Sequence, residues 1–184
     1  MNSWNLVSLK DVAATPWLNG GGLTRELLAW PQPLDWTVRC SVAEVERDGP
    51  FSELPGVRRW FAVLGGAGVR LSIDGAVHEL TAQSAPHEFD GAARTDCQLL
   101  AGPTRDFNLM LRRGRATLQR VRGAIDTKAG ARTLAAAYAL EPGATLDGGG
   151  ETLQLPAGTF AWRILEIETP LRLAGEALWM EITP

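Results

Sequence analysis

Two alternating runs, Val69-Arg70-Leu71-Ser72-Ile73 and Ala76-Val77-His78-Glu79-Leu80, are separated by nothing but Asp74-Gly75. A two-residue turn that matches strand twist needs positive φ at its central positions, and Asp-Gly supplies it at low steric cost. The spacing therefore predicts a tight antiparallel hairpin, and it sets the pattern for the rest of the chain. Residues 36–43 alternate larger apolar side chains with smaller or polar ones, and short β-rich runs recur at 59–64, 98–101 and 107–111. Helix signals are few: residues 23–29 and 134–140 can be read as helical, but Pro31 and Pro142 limit both. Strands this short and closely spaced, punctuated by glycine and proline, predict an all-β sandwich or barrel.

The second half echoes the first. An apolar run leads into Gly65-Gly66-Ala67-Gly68, a strand, the Asp-Gly turn and Val77-His78-Glu79-Leu80. Later, residues 134–140 lead into Glu141-Pro142-Gly143-Ala144, then Thr145-Leu146, a Gly148-Gly149-Gly150 turn and a run ending at Leu155. Only two copies fit, so one internal repeat is expected, with 134–140 a strand equivalent to 59–64. The halves divide as 1–113 and 114–184. Arg112-Arg113-Gly114-Arg115, followed by Arg120 and Arg122, reads as a solvated connection between them.

Composition narrows the function classes. The 184 residues are 45% apolar and 21% charged, an ordinary globular balance with length enough for a substantial core. A net charge of −3 and no basic stripe argue against a nucleic-acid partner. Met1-Asn2-Ser3-Trp4-Asn5-Leu6 lacks the basic and apolar regions of a signal peptide. No apolar stretch approaches bilayer-spanning length, so a cytoplasmic protein without a membrane partner is expected. Cys40 and Cys97 each fall in a strand-like run, where a small buried hydrophobe is the commoner role.

The most unusual segment is Pro16-Trp17-Leu18-Asn19-Gly20-Gly21-Gly22-Leu23-Thr24-Arg25-Glu26-Leu27. Three consecutive glycines allow the backbone to approach a ligand closely. Trp17, Asn19, Thr24 and Arg25 bring an indole, a carboxamide, a hydroxyl and a guanidinium. A phosphate loop would need a Gly-Lys-Ser/Thr ending in a strand–loop–helix setting, and neither is present. Period two places Thr37, Arg39 and Ser41 on one strand face, and Asp106 and Asn108 on another with Met110. If these faces line a barrel interior, Arg39 and Asp106 satisfy each other and leave donors free for a carboxylate.

Metal and covalent chemistry find little support. His78 and His87 are the two histidines, separated by eight residues that include Pro86. Adding Glu79 and Glu88 gives two adjacent-residue pairs that point oppositely on extended strands, whereas catalytic zinc or iron sites need at least three convergent ligands. No metal and no cofactor is expected. Neither cysteine lies near a histidine in sequence, and Ser41 and Ser52 carry no nucleophile signature.

Four segments, taken in order, resemble the HutD/Ves family: residues 16–26; Trp36-Thr37-Val38-Arg39-Cys40-Ser41-Val42-Ala43-Glu44-Val45; Asp48-Gly49-Pro50-Phe51-Ser52-Glu53-Leu54-Pro55-Gly56-Val57-Arg58-Arg59; and Asp106-Phe107-Asn108-Leu109-Met110. The motifs cover residues 4–113, and the remainder matches by length and pattern. The resemblance implies a bicupin: all-β, with tandem cupin barrels closely packed as one unit and without the metal-binding histidines of typical cupins. For the HutD branch it implies an accessory or regulatory role in histidine utilisation, binding a small acid such as formylglutamate. The Ves branch is associated with environmental stress, and the glycine triplet favours the HutD side. Carried over position by position, the ligand site comprises Asn19, Thr24, Arg25, Arg39, Ser41, Asp106 and Asn108. Leu18 stands where the family often has a basic residue.

The expected pocket lies in the first half, beneath the loop 19–25, with Arg39 and Asn108 on its walls and the second half as scaffold. The alternative is a cupin-type isomerase, hydrolase or lyase of a small carboxylic acid, using Glu26, Glu44, Asp106 or His87 as acid or base. A homodimer is expected; Trp4, Trp30 and Trp179 are candidate interface aromatics, but most of the seven tryptophans are expected to fill the two barrel cores instead.

Overall fold

The computed structural model describes residues 3–183; the outer ends of the two expected halves, Met1, Asn2 and Pro184, lie outside them. The strands, in chain order, are β1 (Asn5–Ser8), β2 (Thr15–Pro16), β3 (Gly22–Trp30), β4 (Val38–Val45), β5 (Gly49–Pro50), β6 (Arg58–Gly65), β7 (Val69–Ile73), β8 (Ala76–Leu80) and β9 (His87–Asp90). They continue as β10 (Thr95–Leu99), β11 (Thr104–Leu111), β12 (Arg115–Lys128), β13 (Thr133–Ala139), β14 (Ala144–Gly148), β15 (Glu151–Leu155), β16 (Thr159–Leu165) and β17 (Pro170–Thr183). Among the described residues the only helical element is a 3-10 turn at Leu9–Asp11, and no helix is long and apolar enough to cross a membrane. Residues 23–29, one of the two helical candidates, are strand β3; residues 134–139 lie in β13.

Two compact units emerge. One runs from Ala13 to Arg113. It contains a six-stranded sheet, β2-β3-β4-β11-β6-β9, and a four-stranded sheet, β5-β10-β7-β8. Both sheets feed one core: Val45, Phe61, Val63 and Phe89 from the first pack with Val69, Leu71, Ile73, Leu80 and Cys97 from the second. The β7–β8 hairpin turns at Asp74 (φ 48°) and Gly75 (φ 86°), the positive pair that the Asp-Gly signal predicts.

The other unit starts at Gly114 and also takes in the first twelve residues. Strand β1 pairs with β16, and the buried Trp4 donates from its indole nitrogen to the Gly148 carbonyl at 3.1 Å. The first half as read from the sequence therefore gives up its opening strand to the second unit. Arg112, Arg113 and Gly114 form the expected exposed connection between β11 and β12, whereas Arg115, Arg120 and Arg122 belong to a strand. That strand is β12, in unbroken register with all fourteen residues of β17.

The units share one pairing scheme. In the first, β4 pairs β11, β11 pairs β6 and β6 pairs β9; β10 pairs both β5 and β7, and β7 pairs β8. In the second, β12 pairs β17, β17 pairs β13 and β14, β13 pairs β16 and β14 pairs β15. Here β12 stands for β4 plus β5, and β17 for β10 plus β11. The two long strands bend together at Gly123 and Gly175, register partners with φ of 102° and 103°, which glycine tolerates and L side chains rarely adopt. Each repeat is a curled all-β unit, the tandem cupin architecture.

Candidate ligand-binding cavity

The cavity lies wholly within the Ala13–Arg113 unit and has a volume of about 610 Å³. Its floor follows from register. Ser41 on β4, Asn108 on β11 and Phe61 on β6 form one cross-strand row, and Arg39, Met110 and Arg59 form the next. Period two puts all six on one face, while Val38, Cys40, Val42, Phe107, Leu109, Trp60 and Ala62 are buried on the other. Walls come from Ala43, Val45, Phe51, Leu54, Pro16 at the end of β2 and the loop residues Trp17, Leu18 and Asn19.

Arg59 dominates the electrostatics. It is 6% exposed, and among the described residues no carboxylate pairs with it. One Nη donates to Asn108 Oδ1 at 3.1 Å, the buried Nε has no partner, and the guanidinium lies over Phe51 and Phe89 at 5.3 and 5.0 Å from the ring centroids. Burial lowers its pKa to about 10, which still leaves it charged at neutral pH. A buried cation without a counter-charge is costly, and an anion entering the cavity removes that cost.

Arg39 is different. At the cavity mouth its Nε donates to Glu26 Oε2 at 2.6 Å, so its charge is already matched. The expected Arg39–Asp106 pair does not form. Arg39 sits opposite Met110, four residues along β11 from Asp106, a strand distance of about 13 Å. Asp106 is fully buried and outside the cavity lining: Oδ2 accepts from Thr104 Oγ1 at 2.8 Å, and Oδ1 has no partner. Burial pushes its carboxyl up to about 7, against a smaller lowering by the Thr104 hydrogen bond. Arg25 also turns away from the cavity, because it opposes Val42 and forms an ion pair with Glu44.

Of the seven expected site residues, Asn19, Thr24, Arg39, Ser41 and Asn108 come together on the lining, and Arg25 and Asp106 do not. The glycine triplet is not part of the cavity lining, and it shapes the loop beside it. Asn19 Oδ1 accepts from the Gly21 amide at 2.9 Å, and Gly22 leaves no room for a side chain because a Cβ would sit 2.2 Å from the Glu44 carbonyl. Sequence reasoning missed Arg59, although a signal existed: in the run 59–64, period two puts a lone guanidinium on the face of Phe61 and Val63.

The donor set suits an anion and not a cation. The polar lining is two guanidiniums, a carboxamide on each of Asn19 and Asn108, and the hydroxyls of Thr24, Ser41 and Ser52, with no imidazole or carboxylate among them. The typical cupin metal therefore does not fit this cavity. The histidines lie elsewhere in the unit, and they meet in space although eight residues separate them in sequence. Their rings are 4.1 Å apart, bringing β8 to β9, and burial together with the neighbouring His78 lowers the pKa of His87. Among the described residues no group of three or more histidine, cysteine or acidic side chains is placed to hold a metal. Both cysteines are free and buried, and burial raises the Cys97 thiol to about 12.

A sequence profile described as HutD matches residues 9–178. The chain belongs to the HutD family. An uncharacterised 21.2 kDa protein in the hutC 3′ region of Pseudomonas putida is 38% identical over 125 residues, covering 65% of each chain. Protein Ves of Cronobacter sakazakii is 34% identical over 112 residues, covering 60% of this chain and 62% of its own. The matched segments thus span just under two thirds of these curated relatives. Similarity to solved structures extends further: HutD from Pseudomonas fluorescens SBW25 superposes with a TM-score of 0.86 at 28% identity, over 98% of both chains. A cupin 2 conserved barrel domain protein from Leptotrichia buccalis shares the fold at 9% identity and a TM-score of 0.59, over 98% of this chain and 96% of its own. The HutD family is thus joined to the cupin fold here without the cupin metal donors in the cavity.

Proposed function

We propose that this HutD-family protein is a metal-independent binding protein for a small carboxylic acid, acting as an accessory or regulatory component of histidine catabolism. Family membership and the relative in the hutC 3′ region link the chain to histidine utilisation. One observation carries the ligand chemistry: the buried, still charged Arg59 on the cavity lining, which has no carboxylate partner among the described residues. A guanidinium offers paired N–H donors that match a carboxylate, and Asn108, Ser41 and Thr24 add neutral hydrogen-bonding groups around it. Binding is favoured over turnover by the lining itself, since the candidate acids and bases Glu26, Glu44, Asp106 and His87 are all outside it.

The test is thermal denaturation with formylglutamate, urocanate and related acids of the pathway. At a ligand concentration about 100 times the dissociation constant, linkage adds about 2.7 kcal/mol, a readily measured shift. The expected result is a saturable rise in Tm for the native protein and none for Arg59→Met. Absence of a shift with every such acid at millimolar concentration overturns the proposal.

A further inference from the structure

Three aromatic rings make a corner of the cavity, and nothing in a small aliphatic acid requires them. Trp17 and Phe51 stand nearly perpendicular, with ring centroids 6.4 Å apart and an interplanar angle of 86°. Phe51 is in turn tilted against Phe61, which also lines the cavity, at 5.8 Å and 41°. The Trp17 indole is held before any ligand arrives. Its Nε1 donates to Thr24 Oγ1 at 2.7 Å, its backbone N–H donates to the Gly22 carbonyl at 2.9 Å, and it lies so close to Gly22 that a Cβ there would come within 3.3 Å of Cε3. Such a fixed ring binds without the entropy cost of ordering a mobile side chain.

Phe51 joins this corner to the charge. Its ring carries the Arg59 guanidinium at 5.3 Å, so the aromatic wall and the anion-binding group share a residue. Two perpendicular rings accept a third, flat ring well: it stacks offset on one and meets the other edge to face. The volume of about 610 Å³ holds such a ring together with its carboxylate.

We infer that the acid taken by this cavity is a flat, conjugated carboxylate, its ring seated against Trp17 and Phe51 and its carboxylate on Arg59. The inference rests on the carboxylate reading above and adds the chemistry of the rest of the ligand. Trp17 and Phe51 thereby become specificity-determining residues, and Arg59 the anchor common to any acid.

Calorimetric titration of the whole protein with matched probes decides it. trans-Cinnamate and 3-cyclohexylpropionate have the same carbon count and charge, but only the first is flat and conjugated; glutarate supplies an aliphatic control. The expected result is roughly tenfold tighter binding of cinnamate than of 3-cyclohexylpropionate, the factor that aromatic contacts supply beyond area burial. Phe51→Leu should remove most of that preference, read as the ratio of the cinnamate and 3-cyclohexylpropionate affinities, because any loosening of Arg59 weakens both acids alike. Equal or tighter binding of 3-cyclohexylpropionate or glutarate by the native protein overturns the inference and leaves the carboxylate reading intact. If none of the three binds, and no pathway acid does either, the carboxylate reading falls and the inference with it.

Discussion

At the scale of single residues, the cavity is built around a charge that the fold does not neutralise. Replacing Arg59 with methionine removes a buried cation and its desolvation cost while forfeiting one hydrogen bond and two ring contacts. These opposing terms predict an unliganded stability within about 2 kcal/mol of native, alongside complete loss of acid-dependent stabilisation. Urea denaturation with and without acid checks both halves. Asp106 gives a pH signature. Its carboxyl titrates near 7 in the folded protein, up from 3.8, so the folded state keeps a proton that the unfolded chain releases between those values. Stability contributed by this group is therefore present at low pH and declines as pH rises from about 4 to 7. Relative to Asp106→Asn, the native protein should lose up to about 1.4 kcal/mol per pH unit across that window. Parallel stability curves for the two proteins would contradict this account of Asp106.

At the scale of elements, local turn chemistry was legible and long-range pairing was not. The β7–β8 hairpin has the predicted bounds because Asp74-Gly75 encodes both register and turn within twelve residues. The β14–β15 hairpin was equally readable, since Gly149 and Gly150 take the same positive φ pair, 60° and 82°. Strand β12 escaped notice because its charges and Gly123 break any alternation, and its partner β17 lies at the far end of the sequence. The candidate site divides along the same line. Period two correctly put Arg39 with Ser41, and Asn108 with Met110, on shared faces, but only cross-strand register shows that Arg59 joins them and that Asp106 is too far from Arg39. Arg25 was misplaced because a motif names positions, not faces. The bend where β12 meets β17 offers an element-scale test. Gly175 has φ of 103°, and a Cβ there would approach the Ala144 Cα to 2.8 Å. Gly175→Ala should cost about 2 kcal/mol or more, measured by equilibrium denaturation, because strain and backbone crowding act together.

At the scale of the molecule, one pairing scheme occurs twice with different side chains on it. In the Ala13–Arg113 unit the strand faces carry polar side chains into an open cavity, whereas the other repeat buries Trp4, Trp179, Leu146, Leu155 and Leu173 in its core. Trp4 reaches that core from the start of the chain, so Trp4→Ala should destabilise by about 3–5 kcal/mol, detectable as a lowered Tm. The faint internal repeat in the sequence foretold two copies of one pairing scheme, but the cavity in the Ala13–Arg113 unit depends on side-chain volumes that meet only after folding. The most direct test of the central claim is a crystal structure of the protein with a bound acid, trans-cinnamate or a histidine-pathway acid. A carboxylate should lie about 2.7–2.9 Å from the Arg59 guanidinium, inside the cavity floored by Ser41, Asn108 and Met110. An acid bound at saturating concentration anywhere else, with Arg59 untouched, would contradict the claim.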